Sequence, residues 1–407
     1  MKKKAQKDSS KPASIYSAAC SSLSCPCKRK IPMEESAKRT LRNVKNKNHP
    51  KQPDFLHELV IDGSWLNIPR ACENRDSRFL LEDNNDTGNG RIIIFATDGF
   101  FEYLGAASEW FMDGNFKLAP SLFQQLYVIR VKVEEIFVTA AYILLEKKTR
   151  FIYEEMFNII QRHCLQRNIN LVPTVIHVDF ERAVIKAIQN VFDHEVCIRG
   201  CFYHLCQSTY RHISSLGLKN EYLTNEKFNE FCAKVDSLAY LPLKDVKAGM
   251  SHLKEIVPPM AESLLKYFDE TYVNGTRIKH KKTNRPLTRI LPLFPPEIWN
   301  VFETALEGGE GTNNIVEGWN NRFKHIVGLH HPSIWLLIDK MRSEVATDQV
   351  KLAQQTTGRV QRKKKSSLVQ IRQDRLKIIC NNYAMNSSPD IPSHLMSISN
   401  VIRERVL

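Results

Sequence analysis

Residues 110–148 read WFMDGNFKLAPSLFQQLYVIRVKVEEIFVTAAYILLEKK, and their reading decides the fold. Aromatic and β-branched residues crowd into three runs, 110–113, 121–133 and 134–148, divided by short polar breaks. That enrichment predicts three strands joined as hairpins and therefore antiparallel. One carboxylate, Asp113, lies inside the first apolar run with a glycine directly behind it. An ionised acid without a partner is costly to bury, so Asp113 must be paired, protonated or bound to a metal.

Downstream, TRFIYEEMFNIIQRHCLQ (149–166) carries apolar residues at helical spacing. PTVIHVDF (173–180) is a short β-type run that ends in a second aspartate, Asp179. ERAVIKAIQNVF (181–192) reads as an amphipathic helix, and HEVCIRGCFYH (194–204) as a strand entering another helix. Strands that alternate with helices are expected to be parallel. The order predicts an α/β, RNase H-like fold, a mixed five-stranded sheet with helices on both faces. Upstream, RIIIFATDGFFEYLGAA (91–107) predicts a short strand and a helix outside that sheet. Residues 206–310 read as helices interrupted at IVPPM (256–260) and LPLFPPEIW (291–299), an all-helical insertion. No internal repeat is visible.

The net charge of +14 is uneven. Residues 1–50 hold 13 Lys/Arg against three acids, and residues 351–380 hold nine against one. Residues 381–407 balance, so residues 51–350 carry a net charge of −4. Basic arms thus flank a mildly acidic centre, a pattern of phosphate-contacting or nuclear-import segments and also of merely solvated tails. The expected divisions are a basic, largely disordered arm (1–53), a strand/helix segment (54–108), a first catalytic part (109–205), the insertion (206–310), a Glu-bearing helix (311–345) and a basic tail (346–407). No apolar run approaches the roughly 20 residues that span a bilayer. The N-terminus lacks the apolar core of a secretory signal, so the expectation is an intracellular protein with its ten cysteines reduced. Cys20, Cys25 and Cys27, followed only by His49 and His57, make a poor zinc-finger spacing.

Asp113 and Asp179 fall at the ends of strands that neighbour each other in an RNase H-like sheet. GTNNIVEGWNNRF (311–323) supplies a third acid, Glu317. Ile315, Trp319, Phe323 and Ile326 mark the expected buried stripe of its helix. Asn313, Asn314, Asn320 and Asn321 lie three or four positions from Glu317 and would surround it. Three converging carboxylates repel unless cations sit between them, and oxygen ligands suit Mg²⁺ or Mn²⁺. Two such ions about 3.5–4 Å apart can activate water or a 3′-hydroxyl at a phosphodiester. Each acid also has an ordinary structural use: Asp113-Gly114 as a turn, Asp179 as the cap of the next helix, Glu317 as part of a capping box.

WFMDGNFKLAPSLFQQLYVI, VIHVDFERAVIKAI, GCFYHLCQ and TNNIVEGWNNRF together resemble the catalytic blocks of Mutator-like element (MULE) transposases. The closest resemblance is to the animal branch that often carries FLYWCH-type zinc fingers. It runs from about residue 91 to 345, with IIIFAT and HPSIW as weaker flanks. The resemblance implies an RNase H-like catalytic domain with a helical insertion and an Asp-Asp-Glu triad at Asp113, Asp179 and Glu317. It also implies two Mg²⁺ (or Mn²⁺) ions, double-stranded DNA partners (element ends and target), a homodimer or higher assembly, and the nucleus. No FLYWCH-type finger precedes the domain.

Cys201-Phe-Tyr-His204 matches the family's Cys-x-x-His signature. Two ligands do not complete a zinc site, and Cys206 or His212 would have to contribute. A buried structural pair is the competing expectation, and a Cys–His hydrolase lacks an orienting partner. Trp299 reads as core, or as a platform for an unpaired base at a DNA end, a stacking worth about 1–3 kcal/mol. Asn313, Asn314 and Asn320 are expected around the metals or on phosphate. The reading is therefore a transposase that cleaves and joins DNA. Its rivals are a domesticated transposase-derived DNA-binding protein and an RNase H-like nuclease without strand transfer.

Overall fold

A computed structural model describes residues 1–2, 12–22, 31–46, 49–68, 78–86, 88–192, 196–278, 288–308, 314–357 and 367–403. Its central sheet has seven strands: β1 (Leu80–Asp83), β2 (Ile92–Phe95), β3 (Glu109–Asn115), β4 (Gln125–Val133), β5 (Ile136–Leu145), β6 (Val175–Val178) and β7 (Cys197–Gly200). The spatial order is β1-β2-β5-β4-β3-β6-β7. The three strands of the deciding stretch pair antiparallel, while β3–β6 and β6–β7 are parallel, as the element order predicts. The count of five is corrected to seven. The segment expected outside the sheet supplies β2, antiparallel to β5, and β1 pairs antiparallel with β2. All four residues of β2 are fully buried, so IIIF is a sheet strand extending the apolar surface of β5.

Long continuous burial in β4 and β5 means that both sheet faces are covered. The covering helices begin with α1 (Asp98–Ala106), α2 (Arg150–Gln166) and α3 (Arg182–Val191). Thr97 and Thr149 cap α1 and α2 by accepting from the backbone N–H groups of Phe100 and Ile152. Helix α4 (Phe202–Ser215) follows β7 immediately.

The insertion contains α5 (Glu226–Ser237), α6 (Val246–Glu255) and α7 (Glu262–Phe268). It is not all-helical, because Thr276–Ile278 and Thr288–Ile290 form an antiparallel hairpin. Beyond it run α8 (Asn314–Val327), α9 (Ile334–Thr356), α10 (Ser367–Met385) and α11 (Ile391–Arg403). The boundary expected at 345 falls inside α9, whose Val345 and Asp348 are buried. Residues 367–403 are no loose tail. Leu395, Ile398 and Val401 of α11 are buried, His394 Nε2 meets the Tyr240 carbonyl at 2.7 Å, and Arg403 donates to Asn229 at 3.1 Å. Apolar spacing in α11 seals the insertion that the charge count had masked.

The expectation of disorder over residues 1–53 is likewise corrected in part. Residues 12–21 and 34–46 are helical, with Ile15 and Leu41 buried together. His49 Nε2 lies 2.8 Å from Asp339 Oδ2 of α9, so the arm joins the body there. Cys25 and Cys27 lie outside the described residues. The cysteines at 20, 164, 197, 201, 206, 232 and 380 form no disulfide among the described residues. Among the described residues no helix is long and apolar enough to cross a membrane.

Candidate active site

The parallel pairing of β3 with β6 sets the first two acids side by side. Trp110 is opposite Ile176, and Phe111 opposite His177. Two residues further on, the same register brings Asp113 level with Asp179. Period-two alternation puts both side chains on the face already occupied by Phe111 and His177. Those two rings stack with centroids 4.3 Å apart and an interplanar angle of 6°, locking the register immediately beneath the carboxylates.

Asp113 is not in a turn. It sits within β3 opposite Val128, with Gly114 opposite Tyr127. The glycine serves packing: a Cβ there would come within 2.4 Å of Gln125 Oε1 and 3.0 Å of Tyr127. Gln125 is buried and donates to the Tyr153 hydroxyl, which donates to Glu181 at 2.8 Å. Gly114→Ala is therefore expected to cost about 1–3 kcal/mol by overpacking. Chemical denaturation measures it, and wild-type stability would mean that Gln125 yields without loss.

Asp179 does not cap α3. The N-cap is Glu181, and no side chain closes the cap there. Instead Asp179 Oδ1 lies 2.8 Å from His204 Nδ1. His204 comes from the first turn of α4, whose N-cap is Cys201. N-cap and N3 side chains are neighbours at a helix start, so Cys-x-x-His delivers a thiol and an imidazole together. Gly200 permits this sharp entry, since a Cβ would strike Phe180, the residue after Asp179, at 2.7 Å.

Glu317 arrives from the first turn of α8. Its Oε1 accepts from the Cys201 thiol at 3.5 Å and lies 3.7 Å from His204 Nδ1. Because Asp179 and Glu317 approach the same nitrogen at 2.8 and 3.7 Å, their oxygens are at most 6.5 Å apart. Asn320, one turn along α8, donates its amide to Asp113 Oδ2. All three predicted acids thus converge, with Cys201, His204 and Asn320 among them.

The electrostatics reflect that crowding. Burial, and then the charge and hydrogen bonding of Asp179, push the Asp113 carboxyl well above the usual range. Burial opposes charge on His204, but the Asp179 carboxylate 2.8 Å away and the Cys201 thiol override that and push it up to about 11. An imidazolium thus stands among the carboxylates. The donor set also fits a divalent cation. Oxygens from β3, from the residue after β6 and from α8 lie close together, and among the described residues the buried Asn320 Oδ1 lacks a hydrogen-bond partner.

Several expectations at this site are corrected. The buried stripe of α8 is Val316, Trp319, Asn320, Phe323 and Val327, while Ile326 is exposed. The stripe is displaced because Asn320 turns inward to Asp113. Asn313 and the side chain of Asn314 lie outside the described residues. Trp299 is fully buried, its indole N–H shared between the Tyr272 and Phe294 carbonyls at 3.0 Å each, so it offers no face to a base. Cys206 and His212 do not complete a metal set with Cys201 and His204, for His212 stacks on Tyr267 at 3.8 Å. The group that forms among the described residues is Cys201, His204 and Glu317. Sequence reasoning missed that convergence, because 116 residues separate the thiol from the glutamate.

The family model for the MULE transposase domain matches residues 109–208. This chain carries a MULE transposase domain. The match spans β3 to the first half of α4 and so includes Asp113, Asp179, Cys201 and His204. Glu317 lies beyond it and joins through the fold. A search of curated proteins returns no match to the chain.

Proposed function

We propose that this protein is a DNA transposase of the Mutator-like class, built on an RNase H-like core, that cleaves and joins strands at Asp113, Asp179 and Glu317. The observation that carries the reading is the convergence of these acids beside the neighbouring strands β3 and β6, with Asp113 and Asp179 inside the matched MULE domain and Glu317 reaching them from α8. Asp113 and Asp179 would hold divalent metal from the neighbouring strands β3 and β6, and Glu317 from α8. When bound, a Mg²⁺ or Mn²⁺ pair supplies an activated hydroxyl and stabilises the leaving oxygen. Asn320 orients Asp113 through its amide, and the ion pair of His204 with Asp179 fixes the second carboxylate.

The centre of the chain carries net negative charge, so the basic segments supply most sequence-independent affinity for double-stranded DNA. They also suit nuclear import. Joining two element ends calls for at least a homodimer. Deleting residues 1–48, which keeps the His49–Asp339 contact, should weaken DNA binding and flatten its salt dependence. Each lost phosphate contact lowers the slope by about 0.9. An unchanged slope would assign the arm to import or solubility alone.

The deciding experiment incubates the full chain with labelled duplex DNA and a supercoiled plasmid, with and without Mg²⁺ or Mn²⁺. Metal-dependent cleavage followed by joining of the 3′ end to the plasmid supports transposition. Cleavage without joining would indicate a nuclease, and metal-dependent DNA binding without cleavage a domesticated binding protein.

A further inference from the structure

Cys201, His204 and Glu317 present a thiol sulfur, an imidazole nitrogen and a carboxylate oxygen that all lie within 4.8 Å of one another. The catalytic reading uses the carboxylate as a ligand and the imidazole only to hold Asp179, and it gives the thiol no part. Tetrahedral zinc binds sulfur at about 2.3 Å, and nitrogen and oxygen at about 2.0–2.2 Å, which separates its ligand atoms by roughly 3–4 Å. Small side-chain rotations close the observed cluster to that size. The donor types also discriminate between metals. Sulfur and imidazole suit zinc, whereas Mg²⁺ seeks oxygen in octahedral geometry and keeps its waters.

The scaffold is rigid where such a site needs rigidity. Cys201 is buried and, with His204, is fixed at one helix start; Glu317 comes from a second helix held against β3. Asp179 Oδ1 lies 2.8 Å from His204 Nδ1, so an ion bound at that nitrogen must displace the proton shared with Asp179.

We propose that Cys201, His204 and Glu317 form a site for a single thiophilic divalent cation, zinc being the fitting one, and that its occupancy silences the DNA-cleaving centre by withdrawing Glu317. The silencing half rests on the catalytic reading above; the binding half does not. One carboxylate oriented to a tetrahedral ion on the Cys201 side is withdrawn from ions held by Asp113 and Asp179. Zinc and the Mg²⁺ pair therefore compete through a shared residue rather than through a shared position.

The test begins with binding. The full chain, stripped with chelator, is titrated with Co²⁺ and then Zn²⁺. The expected result is a thiolate-to-cobalt charge-transfer band saturating at one ion per chain and displaced by Zn²⁺. Cys201→Ser should abolish the band, and Glu317→Gln should keep it while weakening affinity by about tenfold or more. Circular dichroism reports folding, and Glu317→Gln decides the matter should Cys201→Ser misfold. No band in the wild type, a band that persists in folded Cys201→Ser, or unaltered affinity in Glu317→Gln overturns the site.

The second arm measures cleavage in excess Mg²⁺ as Zn²⁺ is added. One equivalent per chain should stop it and chelation restore it. The zinc concentration that halves each protein's own rate should rise by about tenfold or more in Cys201→Ser. Zinc binding without inhibition would overturn the silencing half alone. Absence of all cleavage would overturn the catalytic reading and with it the silencing half, while cobalt binding still judges the site.

Discussion

Glu317→Gln should abolish Mg²⁺-dependent strand cleavage, by about a thousandfold or more, while leaving the protein folded. A factor of that size corresponds to about 4 kcal/mol of transition-state stabilisation, within the range that a metal centre supplies. An amide oxygen is a far weaker ligand for Mg²⁺ than a carboxylate. As a capping residue, by contrast, Glu317 would contribute on the order of 1 kcal/mol to the start of α8, and glutamine would largely replace it. The geometry favours the ligand role, because Oε1 is turned to Cys201 and His204. In metal-free buffer the melting temperature should change by less than about 4 °C. Added Mg²⁺ should raise it in the wild type and much less in the variant, since ligand binding stabilises only the state that binds. Wild-type cleavage by Glu317→Gln would reduce the residue to a cap.

Arg130→Met should be the more damaging change to stability. Arg130 is buried on β4, donating to the Phe137 carbonyl at 2.7 Å and to the Ile315 carbonyl at 3.3 Å. Its guanidinium also lies 5.7 Å from the centre of the Trp319 ring. Burial lowers its pKa to about 10, against the opposing pull of buried Asp348. Ile315 precedes Glu317 by two residues, so this cation ties the start of α8 to the sheet. Trp319 continues the tie by donating to buried Glu344 of α9 at 2.9 Å. Removing one partner of a buried charge network costs about 3–5 kcal/mol. The melting temperature should fall by about 4–6 °C at this chain length, and cleavage should fall with it as Glu317 loses its anchor. A variant melting within about 1 kcal/mol of wild type would show that other contacts hold α8.

The legible parts of this protein were those with local causes. Aromatic and β-branched density marked β3, β4 and β5, and alternation with helices marked β6 and β7 as parallel. Asp113 was legible as a buried acid needing a partner, and the structure supplies Asn320 and Asp179. The illegible parts depend on distant contacts. Nothing in IIIF says that it pairs with residues 142–145 rather than standing apart. Nothing in ISNVIR says that it packs against an insertion residue, Asn229, 174 positions earlier, because the basic run before it dominated the charge count. Trp299 was ambiguous because an indole suits both a core and a base, and only its two carbonyl partners decide. The Cys-x-x-His pair was visible, but its third partner was not.

The most direct test of the metal centre is a crystal of the full chain grown with Mn²⁺ and measured at wavelengths that identify manganese. The account predicts anomalous density bonded to the carboxylates of Asp113, Asp179 and Glu317 together. Manganese bound elsewhere, with those three acids still in contact with Asn320, His204 and Cys201, would contradict it.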